Sequence, residues 1–247
     1  MYLLLILIMT CPLTLYAKSK TSRDVPGTAI FVMAERPTIL VETRVFKRES
    51  PELSLRLEVP QIKGLPNKKF EKKLNNELLQ DALQTQKTAI ETAIAYNKDL
   101  LSDGLPPIKF ERVKSYSIRE APSPYLVLSL FEYQYSGGAH GISYQKYLVL
   151  DIVKGRKVSL GDLFKENTDY ITLINTEIKR QMKEREAQGD YFFSGAEGFT
   201  SISDKQLFYL NPRGEIVIVF NVYEIAPYAA GIIEFTIPNA VVMPYLK

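Results

Sequence analysis

Cysteine, histidine and tryptophan are almost missing from this chain of 247 residues, which has one cysteine, one histidine and no tryptophan. The cysteine, Cys11, falls in an apolar stretch that is typical of a secretory leader, so a processed chain would have no thiol. A disulfide, a thiol nucleophile and a cysteine-based metal site would then be excluded. The single histidine, His140, has no carboxylate at a ligand-like spacing. The sequence therefore predicts no metal and no cofactor.

An excess of charge of one sign is also lacking. The chain has 31 Lys and Arg against 28 Asp and Glu, and the two signs are interleaved. Nucleic-acid binding depends on a concentrated basic face that displaces counterions from the phosphates. We therefore expect no nucleic-acid partner.

The longest apolar run, YLLLILIMTCPLTL from Tyr2 to Leu15, is too short for a comfortable transmembrane helix and contains Pro12. It predicts a signal peptide over residues 1–17, cleaved after Ala17, and hence a protein that is secreted or associated with the cell envelope. A polar linker over 18–37 follows. Three alternatives stay open: a retained leader, lipidation of Cys11, and a true start upstream, because no Lys or Arg precedes the run. Membrane association is expected only with a retained or lipidated leader.

Strand and helix patterns alternate without regularity in the rest of the chain, which predicts the α+β class. Residues 52–62 alternate leucine and valine with polar residues, as a half-buried strand does. A long helix is expected from Lys68, capped by Asn67, to about Leu101, with Ile90 and Ile94 among its buried residues. We predict two small subdomains, each an antiparallel sheet packed against a helix, over 38–140 and 141–247.

His140 lies in the glycine-rich stretch YQYSGGAHG, between two predicted strands. Three interpretations are open: a structural turn, a binding surface, or a catalytic or metal-ligating residue. The chain has no G-x-S-x-G nucleophile motif, and Gly137-Gly138 is too sparse to cradle a phosphate. Glutamates that occur in pairs are expected to be solvated charges: Glu184 with Glu186, and Glu215 with Glu234. We therefore predict no catalytic residue, with a cell-envelope hydrolase using His140 and a carboxylate as the alternative.

A second aromatic loop, YEIAPYAAG, is expected between two core strands near the end of the chain. Tyrosines on a rigid loop offer a large contact area at little entropic cost, which suits the recognition of proteins or glycans. The alternative is that these tyrosines pack at a corner of the sheet. The predicted binding surface combines residues of both loops: Tyr135, Gly138, His140, Tyr223, Pro227 and Tyr228.

Three motifs together resemble a known domain pair: GGAHG, G-x-x-V-S-L-x-D-L-F, and YEIAPYAAG. The pair is that of the extracytoplasmic part of RsiV-type lysozyme-sensing anti-sigma-V factors. Its first member also precedes the catalytic domain of PdaC-type peptidoglycan deacetylases. The resemblance implies a bacterial protein with an α+β fold outside the cytoplasm and a binding or sensing role, with lysozyme or peptidoglycan as the ligand. Neither a sigma-factor-binding segment nor the deacetylase catalytic domain is recognisable here, so we expect no sigma-factor partner.

Overall fold

The structure is a computed structural model that describes residues 39–247 and the backbone of residues 4–6. The predicted cleavage site at Ala17, Cys11 and the linker over 18–37 lie outside the described residues. The predicted α+β class is confirmed, since a mixed sheet with a long helix is followed by a smaller antiparallel sheet with its own helices.

The first sheet contains its strands in the order in which they occur in the chain. They are β1 (Leu4–Ile6), β2 (Leu40–Glu49), β3 (Leu53–Lys63), β4 (Phe110–Arg119), β5 (Tyr125–Tyr135), β6 (Ile142–Asp151) and β7 (Arg156–Lys157). β3 and β4 are parallel and all the other pairs are antiparallel, so the sheet is mixed where an antiparallel one was expected. The reason is the long helix, which returns the chain to the end of the sheet at which β3 begins, so that β4 runs in the same direction as β3. β5 pairs with β6, so the sheet continues across the predicted subdomain boundary at residue 140.

The connection between β3 and β4 is the helix α1 (Lys68–Ser102), which begins where Asn67 Oδ1 accepts a hydrogen bond from the backbone N–H of Phe70 at 3.0 Å. Its fully buried positions are mostly small, which lets the helix lie close to the leucines of β3. They are Leu74, Ala82, Ala89, Ala93 and Asn97. Ile94, expected in this stripe, is 51% exposed because Ala93 and Asn97 occupy the inner positions. No helix in the described part of the chain has both the length and the apolar composition that crossing a bilayer requires.

The second sheet contains three antiparallel strands in the order β10 (Ile233–Ile237), β9 (Ile216–Phe220) and β8 (Phe208–Leu210). The helix α2 (Tyr170–Glu186) begins at Asp169, whose side chain accepts from the Thr172 N–H at 3.1 Å. A short α3 (Asn239–Val242) follows β10. The apolar faces of these elements form one continuous core with the buried face of β6.

β5 contributes side chains to the cores on both faces of the first sheet, because consecutive residues of this strand are buried. Leu126 and Leu128 pack in a cluster with Leu74 of α1, whereas Val127 packs in the core of the second sheet. Successive side chains of a strand point to opposite faces. The first sheet therefore lies between α1 on one face and the second unit on the other.

The register of the strands gives the first sheet two distinct ends. At one end Leu40 pairs with Lys63, and the turn of residues 152–155 joins β6 to β7. We call this the entry end, because Ile39 joins β2 there. At the far end β5 and β6 are joined by the turn of residues 136–141, which contains His140.

Candidate functional site

The two aromatic loops identified from the sequence meet at the far end of the first sheet. The ring of His140 stacks on that of Tyr228, with 4.4 Å between the centroids and 22° between the planes. Tyr228 in turn lies against Tyr223, with centroids 5.6 Å apart. His140 is exposed and Tyr223 is 50% exposed, while Tyr228 is half-buried between them. We call these three side chains the aromatic stack.

A single backbone carbonyl joins two members of the stack, His140 and Tyr228. The oxygen of Gly141 accepts from His140 Nδ1 at 2.9 Å and from Tyr228 Oη at 3.2 Å. Gly141 is buried, and a Cβ atom there would come within 2.4 Å of the ring of Tyr133. A side chain at this position would therefore have to displace the ring of Tyr133, which approaches the backbone closely.

The late loop is fixed by polar and apolar anchors. At its start, Asn221 Oδ1 accepts from the backbone N–H of Gln145 at 2.7 Å, and its Nδ2 donates to the Gln145 carbonyl at 3.2 Å. Val222, Ile225 and Ala226 are buried, so the intervening tyrosine is directed outwards. The loop is therefore bonded to the backbone of β6 and presents its aromatic residues beside the first loop.

Tyr223 itself has a backbone φ of 66°, a left-handed conformation that disfavours side chains other than those of Gly, Asn and Asp. Such strain is retained only where the surrounding structure imposes it. Loss of solvation raises the pKa of the neighbouring Glu224 carboxyl, although the residue as a whole is exposed. The tip of the loop therefore combines a strained aromatic residue with a carboxyl that is poorly solvated.

The other predicted surface residues lie in the same two loops as the stack, but their hydrogen bonds stay within their own loop. Tyr135 Oη donates to the carbonyl of Gly138 at 3.1 Å, and Gly138 is exposed with a φ of 95°. Pro227 is half-buried, and its carbonyl accepts from the Ala230 N–H at 2.9 Å. These three residues shape the loops, while His140, Tyr223 and Tyr228 supply the shared aromatic surface.

Because a carbonyl oxygen can only accept, a neutral His140 ring carries its proton on Nδ1 and leaves Nε2 as an acceptor. General-base catalysis usually relies on a carboxylate that orients and stabilises the imidazole. In residues 39–247, no carboxylate forms an ion pair or hydrogen bond with His140, and no group of three or more His, Cys, Asp or Glu could hold a metal ion. The hydrolase hypothesis stays a prediction. The carboxylate that it requires is not found beside the His140 ring among the described residues.

Comparison with protein families assigns the two halves of this architecture. Residues 46–143 match the family described as deacetylase PdaC, and residues 161–240 match the protein family of unknown function DUF3298. The chain carries a PdaC domain followed by a DUF3298 domain. The PdaC domain contains His140, and the DUF3298 domain contains Tyr223 and Tyr228. The aromatic stack is therefore built from both domains.

The chain is homologous to the anti-sigma-V factor RsiV of Bacillus subtilis, with 29% identity over 202 residues. The match covers 79% of this chain and 66% of RsiV, so the chain spans slightly less than two thirds of that relative's length. Two crystal structures share the fold. A DUF3298 family member from Bacteroides fragilis has a TM-score of 0.68 at 18% identity, covering 87% of this chain and 96% of its own. A DUF3298 family protein from Pseudomonas aeruginosa has a TM-score of 0.57 at 16% identity, covering 86% and 95%.

A second contact joins the PdaC and DUF3298 domains and was missed from the sequence. The carboxylate of Glu234 accepts from Tyr147 Oη at 3.2 Å and from Tyr209 Oη at 2.9 Å. Arg119 lies 3.8 Å from the same carboxylate and stacks over the ring of Tyr209 at 4.5 Å. Burial, together with the negative charge of Glu234, raises the pKa of Tyr147 and of Tyr209 to about 12 in each case. Both tyrosines are buried, so this cluster ties the domains together and does not form part of the recognition surface.

The paired glutamates therefore act separately. Glu234 makes the contact just described, whereas Glu215 accepts from Asn211 and Arg213 in the turn before β9. Glu184 pairs with Arg180 on α2 at 2.5 Å. The expectation of solvated charges agrees with Glu184, Glu186 and Glu234, which are exposed, and less well with Glu215, which is partly buried.

Proposed function

We propose that this protein is an extracytoplasmic recognition module that binds its ligand through the aromatic stack of His140, Tyr223 and Tyr228. The ligand classes are those that the resemblance to RsiV-type and PdaC-type proteins implies: a protein such as lysozyme, or cell-wall glycan. The homology to RsiV and the predicted leader support a location at the cell envelope. The proposed role is binding, without turnover.

The observation that carries this proposal is that rings from two domains meet at an exposed surface. Tyr228 is 87 residues from Gly141, yet both Tyr228 and His140 bond to that one carbonyl. A surface whose rings are already held in place loses little conformational entropy when it binds. The strained backbone of Tyr223 adds support, because strain of this kind is concentrated at functional sites.

Retention of the full chain on immobilised lysozyme and on purified peptidoglycan tests the proposal. We expect one of these ligands to retain the protein and Tyr228→Ala to weaken retention at least tenfold, which is the typical size of a central aromatic contact. Tyr191→Ala is the matched control, because Tyr191 is 64% exposed and lies outside both loops. It should change retention less than twofold.

The melting temperature of each variant separates lost contacts from lost folding. Tyr228→Phe removes only the bond to Gly141 and should keep most of the binding. Failure of both ligands to retain the wild-type protein, or equal losses for Tyr191→Ala and Tyr228→Ala, would count against the aromatic stack. The hydrolase alternative makes a different prediction, namely that His140→Ala abolishes turnover of peptidoglycan at an unchanged melting temperature.

A further inference from the structure

Five exposed or half-exposed cations gather at the entry end of the first sheet, at the opposite end from the aromatic stack. They come from the first turns of α1, from the turn that joins β6 to β7, and from β7 itself: Lys69, Lys73, Lys154, Arg156 and Lys157. A cavity of ≈ 340 Å³ opens between these two elements and is lined by all of them except Lys154. We call this group the basic end. A chain with a net charge of only +3 thus concentrates cations at one place.

The turn of residues 152–155 is held firmly against α1. Asp151 is buried, and its Oδ1 accepts from the backbone N–H of Val153 at 3.1 Å and of Lys154 at 2.8 Å. Gly155 lies so close to the helix cap that a Cβ atom there would come within 2.6 Å of Asn67 Nδ2. The cations of the turn and of the helix therefore form one surface with a fixed shape.

Three carboxylates face these cations and neutralise them only in part. Glu77 lies 2.6 Å from Lys157 Nζ and 3.9 Å from Lys73 Nζ. Asp162 lies 2.8 Å from Arg156, and Asp151 lies 3.8 Å from Lys154. The pairs made by Glu77 and Asp162 are largely exposed, and ion pairs of this kind contribute little stability. The lysines can therefore exchange these partners for external anions at small cost.

An apolar side chain projects from the middle of the basic end. Val153 is 70% exposed and is followed by Lys154, whose side chain is 68% exposed. Surfaces that bind membranes combine apolar groups, which enter the boundary between headgroups and acyl chains, with cations that meet anionic lipids. A free soluble anion would make use of the cations and have no use for Val153.

The connection to the rest of the chain adds a geometrical argument. The chain that contains the apolar run Tyr2–Leu15 enters β2 at Ile39, at the entry end, and Leu4–Ile6 of that run pairs with the first residues of β2 there. The aromatic stack lies at the other end of strands ten and eleven residues long. We propose that the basic end docks on the anionic phospholipid headgroups of a membrane, with Val153 entering the interface and the aromatic stack directed away from the bilayer. This inference goes beyond the proposed recognition and does not depend on its ligand.

Co-sedimentation of the full chain with vesicles tests the docking. One set of vesicles contains phosphatidylcholine alone and the other mixes phosphatidylcholine with phosphatidylglycerol. We expect stronger binding to the anionic set, and at least a tenfold loss in the variant with Lys69, Lys73, Lys154 and Lys157 all changed to Gln, since a lysine close to an anionic surface contributes about fivefold. The matched control changes four exposed lysines elsewhere to Gln: Lys87, Lys98, Lys179 and Lys205. It removes the same charge and should lose less than threefold.

Two further arms distinguish a lipid surface from other anions. Val153→Ser should weaken binding to the anionic vesicles several-fold and leave their preference over neutral vesicles intact. Soluble glycerol phosphate, at the concentration of the lipid headgroups, should not displace the protein. Equal binding to neutral vesicles, equal losses in the two lysine variants, or full displacement by glycerol phosphate would each overturn the proposal.

Discussion

The PdaC and DUF3298 domains fill their interiors in different ways. Three of the five buried positions of α1 in the PdaC domain are alanines, and another, Asn97, is polar. The DUF3298 domain instead has a continuous apolar core in which aromatic rings touch one another. Phe235 contacts both Phe192 and Phe220, with centroids 6.1 and 6.0 Å apart.

Polar side chains do part of the work of packing in the PdaC domain. Asn97 Oδ1 accepts from the backbone N–H of Ile108 at 2.6 Å, and its Nδ2 donates to the carbonyl of the same residue at 2.8 Å. Asn75 makes the same pair of bonds with Ile62, each at 2.7 Å. Each asparagine side chain thus makes with one backbone residue the two hydrogen bonds that a neighbouring strand would otherwise make.

These two designs respond differently to substitution. An apolar core depends on volume, so the cost of a change grows with the cavity that it leaves. An amide that bonds a buried backbone depends on identity, because only a side chain with both a donor and an acceptor satisfies both groups. The DUF3298 domain should therefore be sensitive to size and the PdaC domain to chemistry.

The largest effect is expected for Phe235→Ala. Phe235 is 1% exposed at the centre of the DUF3298 core, so the cavity cannot be filled by solvent or by a surface loop. We expect the free energy of unfolding to fall by about 3–5 kcal/mol. Urea denaturation followed by circular dichroism measures it.

The same substitution in the PdaC domain is the matched control. Phe46 is only partly buried beside α1, and Phe46→Ala should cost less than half as much. Equal costs at the two sites would show that the DUF3298 core is no more dependent on volume than the edge of the PdaC sheet, and the comparison would fail.

The next largest effect tests chemistry in the PdaC domain. Asn97→Ala leaves the N–H and carbonyl of Ile108 without their partner, and we expect a loss of about 2–3 kcal/mol in the free energy of unfolding. Asn97→Asp keeps the acceptor and loses the donor, so it should not restore stability. Asn76→Ala, at an exposed position of the same helix, is the control and should cost under about 0.5 kcal/mol. A cost for Asn97→Ala no larger than this would contradict a role for the amide.

The sequence predicted those features that depend on local pattern. Alternation in β3 placed Leu53, Leu55 and Leu57 on the buried face, and Asn67 does begin α1. The α+β class followed from the mixture of helical and alternating segments. The two aromatic loops were chosen by composition, as glycine-rich and tyrosine-rich breaks between strands. These features are encoded within a few neighbouring residues.

Contacts between distant segments could not be read in this way. Nothing local shows that Tyr228 bonds to Gly141, or that Glu234 receives two tyrosines from different parts of the chain. The parallel pairing of β3 with β4 depends on the direction in which α1 returns, which helical periodicity does not specify. Ile94 was misplaced because small residues on the neighbouring helix positions allow closer packing than large ones.

The smallest effect concerns the two tyrosines that bond to Glu234, and it should appear only at high pH. An unfolded tyrosine has a pKa of about 10, whereas burial beside Glu234 raises the pKa of Tyr147 and Tyr209 to about 12. Below pH 10 both states keep the protons. As the pH rises from about 10 to 12 the unfolded chain releases them first, so the free energy of unfolding falls.

We expect this loss to reach about 1 kcal/mol, because the two tyrosines share one carboxylate and titrate as a coupled pair. Urea midpoints measured from pH 9 to beyond pH 11 should fall less steeply in the Tyr147→Phe, Tyr209→Phe double variant than in the wild type. Tyr191→Phe is the control, since an exposed tyrosine should leave the slope unchanged. Parallel slopes for the wild type and the double variant would mean that the contact between the domains does not retain these protons. The contact would then depend on packing, as the DUF3298 core does, and not on hydrogen bonds such as those that the asparagines make in the PdaC domain.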